Sequence, residues 1–277
     1  MNATGRIGLI ARNTFLEAVR QKFFNVLVVL SIAMIASANF FRQFDFGSSE
    51  LKFIADFGMG AILLFGSILS VVVTAQLFFS EIENRTALTM LAKPVHRWEF
   101  IVGKFAGVFF VLFAFVSLML VLLAAVLYWR ESGLMQKLPD DFEQGRLVNY
   151  LGMLQLAFSE LLKFGMLAAI TLLIASFSNT NLYTVILSFF VMIICQLQYI
   201  ARDNWSDLDN PILRGLVWFL SMLFPNFQMF NVGEQLIFPS DAATLSAGGY
   251  FSILGYGAIY ICMLLGLSAY SFRNREI

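Results

Sequence analysis

Apolar runs long enough to bury a helix in lipid alternate along this chain with short polar intervals, six times over. The runs cover roughly residues 23–41, 57–79, 100–129, 147–177, 182–200 and 250–272. A helix rises about 1.5 Å per residue and a hydrocarbon core is about 30 Å thick, so each run predicts one spanning helix. The third run, about 45 Å of helix, must tilt or project beyond the lipid. Backbone groups in lipid have to be satisfied within their own segment, which makes α-helix the form these runs adopt. The prediction is an all-α integral membrane protein with six spans, forming one membrane domain over residues 1–277.

Two segments depart from that rhythm. Over residues 6–20, RIGLIARNTFLEAVR, the positions Ile7, Ile10, Ala11, Thr14, Phe15 and Ala18 share one helical stripe, and Arg6, Arg12, Asn13, Glu17 and Arg20 lie opposite. That pattern predicts an amphipathic helix in the membrane interface, running through residue 22 into the first span. The triplet Ala36-Ser37-Ala38 fits the small-residue rule for signal cleavage, but a long amphipathic leader containing Glu17 is unlike a signal peptide. Residues 201–249 are the other irregular part. Pro211 can open a helix there, and the LRGLVWFLSMLFP that follows is too short to cross, so a re-entrant or interfacial helix ending near Pro225 is expected, with a second short apolar stretch returning beside it.

The interval between the second and third runs, SEIENRTALTMLAKPVHRWEFIVGK from Ser80 to Lys104, has the most structure of its own. Ser80 and Glu83 have capping-box spacing, and Glu81 and Glu83 would then sit in a first turn. Leu88, Leu91 and Ala92 recur on one side until Pro94 stops the ladder. His96, Arg97 and Trp98 suit a point where the chain re-enters the membrane. The pattern fits either a solvated connector or a rigid handle for a partner in the cytoplasm, over residues 80–98.

Composition agrees with a membrane protein: 59% apolar, 13% charged, 31 Phe. The zero net charge conceals an asymmetry. With the amphipathic start inside and six crossings, the inner segments hold ten basic and five acidic residues, the outer ones seven basic and twelve acidic. The Lys/Arg bias places both termini and the 80–98 interval in the cytoplasm of a multi-pass plasma-membrane protein. Cys195 and Cys262 fall inside apolar runs as buried filling, without metal or disulfide chemistry.

One charged pair lies within a run. Glu160 and Lys163 are i,i+3 partners. If the run breaks near Phe158 the pair is structural and close to the outer interface. If the helix is unbroken, the pair lies deeper and faces protein, as a structural pair or as part of a transport path. Gln76, Gln196 and Gln198 are candidates for a polar seam, and interhelical packing explains them equally well.

No G-x-x-x-x-G-K-[ST] phosphate cradle, H-E-x-x-H or G-x-S-x-G occurs, and the one histidine, His96, suits an interfacial contact better than a general base. The residues alone leave a transporter subunit or a membrane anchor for a larger assembly.

The chain resembles permease subunits of the ABC-2 (type-2 ABC exporter) family, particularly the branch of the nitrous-oxide-reductase maturation permease. Glu81, Glu83, Arg85, Thr86, Leu91, Lys93, Pro94, Arg97, Glu99, Gly103 and Lys104 match that branch's cytoplasmic loop. ARNTFLEAVRQKFF is similar to its elbow helix, and FPNFQMFNV and SFRNREI to later signatures. The resemblance implies a six-span subunit of an exporter, not an enzyme itself, in a bacterial inner membrane. It would pair with a second copy or close homologue and rest on two separate ATPase subunits that bind ATP and Mg. It implies that residues 81–92 form a coupling helix inserted into the ATPase, with Glu81, Glu83, Arg85, Thr86, Lys93, Pro94 and Arg97 in the contact. The elbow, through Arg12, Asn13, Glu17 and Arg20, would brace that contact, and the Ser176–Asn181 turn would make a smaller one. Lipids surround it, a periplasmic accessory protein is a further candidate partner, and nucleic acid is not one. The other reading is a non-transporting membrane scaffold.

Overall fold

The computed structural model describes residues 3–41, 50–83, 96–137, 146–204, 210–238 and 246–273. Helix α1 (Ala3–Arg20) turns through 65° at Gln21 into α2 (Lys22–Phe41). Then follow α3 (Glu50–Glu83), α4 (Arg97–Lys137), α5 (Tyr150–Phe177) and α6 (Asn181–Asn204). The short α7 (Pro211–Leu223), a 3₁₀ turn (Phe227–Phe230) and α8 (Gly233–Ile237) lead to α9 (Ala247–Arg273). All regular structure among the described residues is helical. Helices α3, α4, α5, α6 and α9 are each long and apolar enough to cross a bilayer, and α2 with α1 brings the spans to six.

The helices run further than the apolar runs do. Helix α3 begins at Glu50 rather than near residue 57, and α4 continues to Lys137 rather than stopping near Trp129. The added turns are polar and are fastened to one another: Arg130 of α4 bonds Glu50 of α3. Helix α5 is a single unbroken helix, started by Asn149, whose side chain accepts from the Gly152 amide. Helix α7 starts as its proline suggests, with Asn210 accepting from the Ile212 amide ahead of the first turn. Its 13 residues end short of Pro225 and cannot span.

The core gathers around α5, which packs against α3, α4, α6 and α9. In its most apolar window 83% of residues are buried, against 22% for α6 and 28% for α9. Close approach at the centre depends on small residues: a Cβ on Gly66 of α3 would collide with the Phe164 ring of α5. The Ser70 hydroxyl donates to the Phe164 carbonyl at 2.7 Å beside it. Cys195 is buried as expected, whereas Cys262 is exposed on the outer side of α9, because that helix buries only the stripe containing Ile253, Gly257, Ile261, Leu264 and Ser268.

Candidate functional site

The 80–98 interval divides differently from the sequence expectation. Ser80 to Glu83 are the last residues of α3, so Ser80 opens no new helix and Glu81 and Glu83 lie in a final turn rather than a first one. An apolar run ends at Phe79, but an established hydrogen-bond ladder continues for another turn at no nucleation cost. Arg85, Thr86, Lys93 and Pro94, with the rest of 84–95, lie outside the described residues, as does the proposed coupling helix apart from its first residues. Arg97 and Trp98 belong to the first turn of α4.

Both roots of the interval are held by α1. On the α3 side the Ser80 hydroxyl donates to Glu17 Oε1 at 2.8 Å. On the α4 side Arg6 donates through Nε and Nη2 to the two carboxylate oxygens of Glu99, at 2.8 and 2.6 Å. Bidentate charged pairs of this kind fix orientation as well as distance. The Glu99 hydrogen bond holds the Arg6 guanidinium above its ordinary value against the pull of desolvation. Glu99 has a second task, since its Oε2 accepts the backbone amide of His96 at 3.3 Å, three residues back. The carboxylate half of a capping box is therefore present, at His96 and Glu99 rather than at Ser80 and Glu83. His96 itself is exposed at the head of α4. Arg6 and Glu17 are eleven residues apart, so α1 spreads about 16 Å between the two roots.

Helix α1 reaches these contacts because it lies directly on α4. A Cβ on Gly103 would meet Ile10 Cβ at 2.8 Å, and one on Gly107 would meet Thr14 Cβ at 2.5 Å and the Ala11 carbonyl oxygen at 2.8 Å. Two glycines one turn apart let the helix backbones approach. The stripe read from the sequence is the one buried: Ile10, Ala11, Thr14 and Ala18 face inward, with Ile7 and Phe15 partly covered. Arg12, Asn13 and Arg20 are exposed, and of the elbow candidates Glu17 makes the bond to Ser80.

Below the roots the four helix ends are tied together. Lys104, buried, donates to the Leu77 carbonyl of α3 at 2.7 Å and lies over the Phe100 ring. Arg97 donates to the carbonyls of Phe272 and Arg273 at 3.0 and 2.6 Å, satisfying acceptors that the end of α9 would otherwise leave open. Phe78, Phe79, Phe100 and Phe272 form a compact aromatic cluster, with Phe100 and Phe272 stacked at 5.6 Å and Phe78 edge-on to Phe272 at 5.7 Å. Leu172 and Ala175 of α5 close it, one to two turns from Ser178. The turn after α5 is itself bonded: the Ser178 hydroxyl donates to the Thr180 carbonyl, and Thr184 donates to Ser178. Glu99 and Lys104 read in the sequence as charges of the cytoplasmic interval; their burial depends on partners 93 and 27 residues away and on four converging helices. Besides the apolar stripe of α1, the glycine pair is a local signal of the α1 contact.

Deeper in the bundle Glu160 and Lys163 form a buried ion pair, Nζ to Oε2 3.3 Å, on the inward side of the unbroken α5. Lys163 lines a cavity of about 600 Å³ between α3, α5 and α6, walled by Leu63, Ile68, Phe164 and Met192 with Ser67 and Gln196. Glu160 lines a separate cavity of about 280 Å³ with Asp56 and Asn231. The pair is thus part of the wall between an apolar hollow and a polar one. The three glutamines do not converge. Gln196 is exposed, faces the larger cavity and donates to Gln228 at 3.4 Å; Gln198 is buried; Gln76 is partly buried on α3, two turns beyond the cavity lining.

No curated protein sequence matches the chain. A family model described as ABC-2 family transporter protein matches residues 15–195, more than half of the chain, from inside the elbow helix through α3, α4 and α5 to α6. With up to six candidate spans and an interval whose two roots share one bracing helix, the chain belongs to the ABC-2 transporter family as a multi-pass membrane permease.

Proposed function

We propose that this chain is the membrane subunit of an ATP-driven exporter in a bacterial inner membrane, moved through the interval between α3 and α4 by separate ATPase subunits in the cytoplasm. Membership of the family implies ABC ATPase partners; that there are two of them, holding ATP and Mg, and that the permease pairs with a second copy, belongs to this reading. So do the cytoplasmic placement of both termini and the finer placement in the nitrous-oxide-reductase maturation branch, which rests on the loop residues quoted above.

The observation that carries the proposal is that one helix, α1, bonds both roots of the interval, Ser80 through Glu17 and Glu99 through Arg6. A push on residues 84–95 then acts on α1, α3 and α4 together, and through Arg97 and the aromatic cluster on α9 and the end of α5. Packed helices pass such a displacement on as a body rather than absorbing it. The cavity between α3, α5 and α6 is the space such a movement can open or close, with Gln196 and Lys163 as its polar contacts for cargo.

Reversing charge at Glu83 and Arg85 together tests this. In a reconstituted complex the variant should fold normally and lose most of its ATPase association and transport. Unchanged association and stimulated ATP turnover would refute the coupling role and leave the scaffold reading.

A further inference from the structure

Helix α1 does not cover the whole side of α4. On the outward side the two helices leave an apolar groove of about 390 Å³, lined by Gly8, Arg12, Phe15, Phe110, Phe113 and Ala114. Phe110 and Phe113 are each more than half exposed. Arg12 is the one charged residue in the lining, and it makes no ion pair or hydrogen bond with the other described residues. Its neighbour Asn13 is neutral, and Glu17 is engaged with Ser80.

The contacts of Ile10 with Gly103 and Thr14 with Gly107 put Arg12 level with about residue 105 of α4, just past Lys104, the last charged residue before the uncharged stretch that runs to Trp129. Phe113 and Ala114 lie about 13 Å further along the helix, close to the depth of one hydrocarbon leaflet, roughly 15 Å. A second apolar hollow of about 360 Å³ carries on from Phe113 past Val116, Ser117 and Leu120. A cation at headgroup height therefore stands over a trough with the depth of an acyl chain. A Cβ on Gly8 would meet nothing within 4 Å, so the missing side chain there leaves room on the lipid side rather than serving a contact between helices.

We propose that this groove binds a glycerophospholipid of net negative charge, with its phosphate on Arg12 and one acyl chain along Phe15, Phe110 and Phe113. The charge argument selects the class: Arg12 has no countercharge among the described residues, a lipid with an anionic headgroup supplies one, and a zwitterionic lipid supplies no net charge. Each basic group near an anionic headgroup contributes about fivefold in affinity. Arg12 is long enough to keep its stem on the apolar wall while its guanidinium stays at the headgroup.

The test uses the full chain, reconstituted in vesicles of three parts phosphatidylcholine to one part phosphatidylglycerol, extracted in mild detergent and weighed with its retained lipids by native mass spectrometry. Wild type should retain phosphatidylglycerol above its share of the vesicle. Arg12→Gln should lower that enrichment about fivefold, and Arg12→Lys should largely keep it. Gly8→Leu, which fills open space and suits a helix better than glycine, should expel the lipid while the charge remains. Arg20→Gln is the control for general basicity and should retain the wild-type enrichment. Equal retention of phosphatidylcholine, no change in Arg12→Gln, an equal loss in Arg20→Gln, or protein rather than lipid covering the groove would each overturn the proposal. The readout is lipid and not turnover, so its failure is separable from failure of the coupling reading.

Discussion

The two ends of the bundle are fastened in different ways. At the end carrying the 80–98 interval, the bonds join helices that are far apart in sequence: Arg6 to Glu99, Glu17 to Ser80, Lys104 to Leu77, Arg97 to Phe272 and Arg273. At the opposite end the main polar knot is more local. Buried Glu131 accepts the amides of Leu147 and Val148 and the Tyr150 hydroxyl, and faces Arg146, whose guanidinium lies 4.1 Å over the Tyr128 ring. A local knot shapes one connection between neighbouring helices. A junction of distant helices ties the ends of α1, α3, α4 and α9 to one another, which is what the proposed coupling to an outside partner requires. The midpoint belongs to neither pattern, holding the Glu160–Lys163 ion pair between two cavities.

The largest expected effect is at that midpoint. Glu160→Ala alone strands the Lys163 ammonium in low dielectric and should cost about 3–5 kcal/mol of stability, whereas Glu160→Leu with Lys163→Leu should cost markedly less. Thermal unfolding in detergent compares them, and equal losses would reject direct pairing.

Next come the two ends, probed by the same kind of change. Gly107→Ala drives a methyl into Thr14 and the Ala11 carbonyl, and Gly152→Ala drives one into the Leu236 backbone at the opposite end. Overpacking of this kind costs about 1–3 kcal/mol, and more where backbone must shift. Both should lower the melting temperature, but Gly107→Ala alone should also reduce stimulated ATP turnover of a reconstituted complex. Equal effects on turnover would erase the distinction between the ends.

Tyr150→Phe removes one hydrogen bond to buried Glu131, worth about 1.5–3 kcal/mol for a bond to a charged group. Stability should fall and turnover per folded molecule should not. The smallest effect is Ser80→Ala, which frees Glu17 at one root of the interval. A loss of about 0.5–1.5 kcal/mol is expected, with turnover per folded molecule reduced, the reverse of the pattern for Tyr150→Phe. A Ser80→Ala protein with normal turnover would count against α1 as the brace.

Much of this architecture was legible as pattern. Apolar length gave the spans, the stripe from Ile10 to Ala18 gave the buried face of α1, Pro211 gave the start of α7, and i,i+3 spacing gave the Glu160–Lys163 pair. Helix ends were read less well, because hydropathy marks where lipid stops and not where hydrogen bonding stops; the added turns of α3 and α4 are held by Glu50 with Arg130 and by Glu131. Ser80 lies inside α3 rather than at a helix start for the same reason. Gln196 and Gln198 look equivalent in sequence but lie on different sides of α6, one exposed and one buried.

By itself the amino-acid order determined that this chain must lie in a membrane as helices, since apolar runs of this length satisfy their own backbone groups in lipid only as helices. It also set which faces are amphipathic and the least length each spanning helix must have. Only the tertiary structure decided that Glu99 and Lys104 are buried fasteners rather than loop charges, and that α1 holds both roots of one interval. Periodicity is a property of neighbours along the chain, while a bond between residues 6 and 99 exists only once the helices between them have packed.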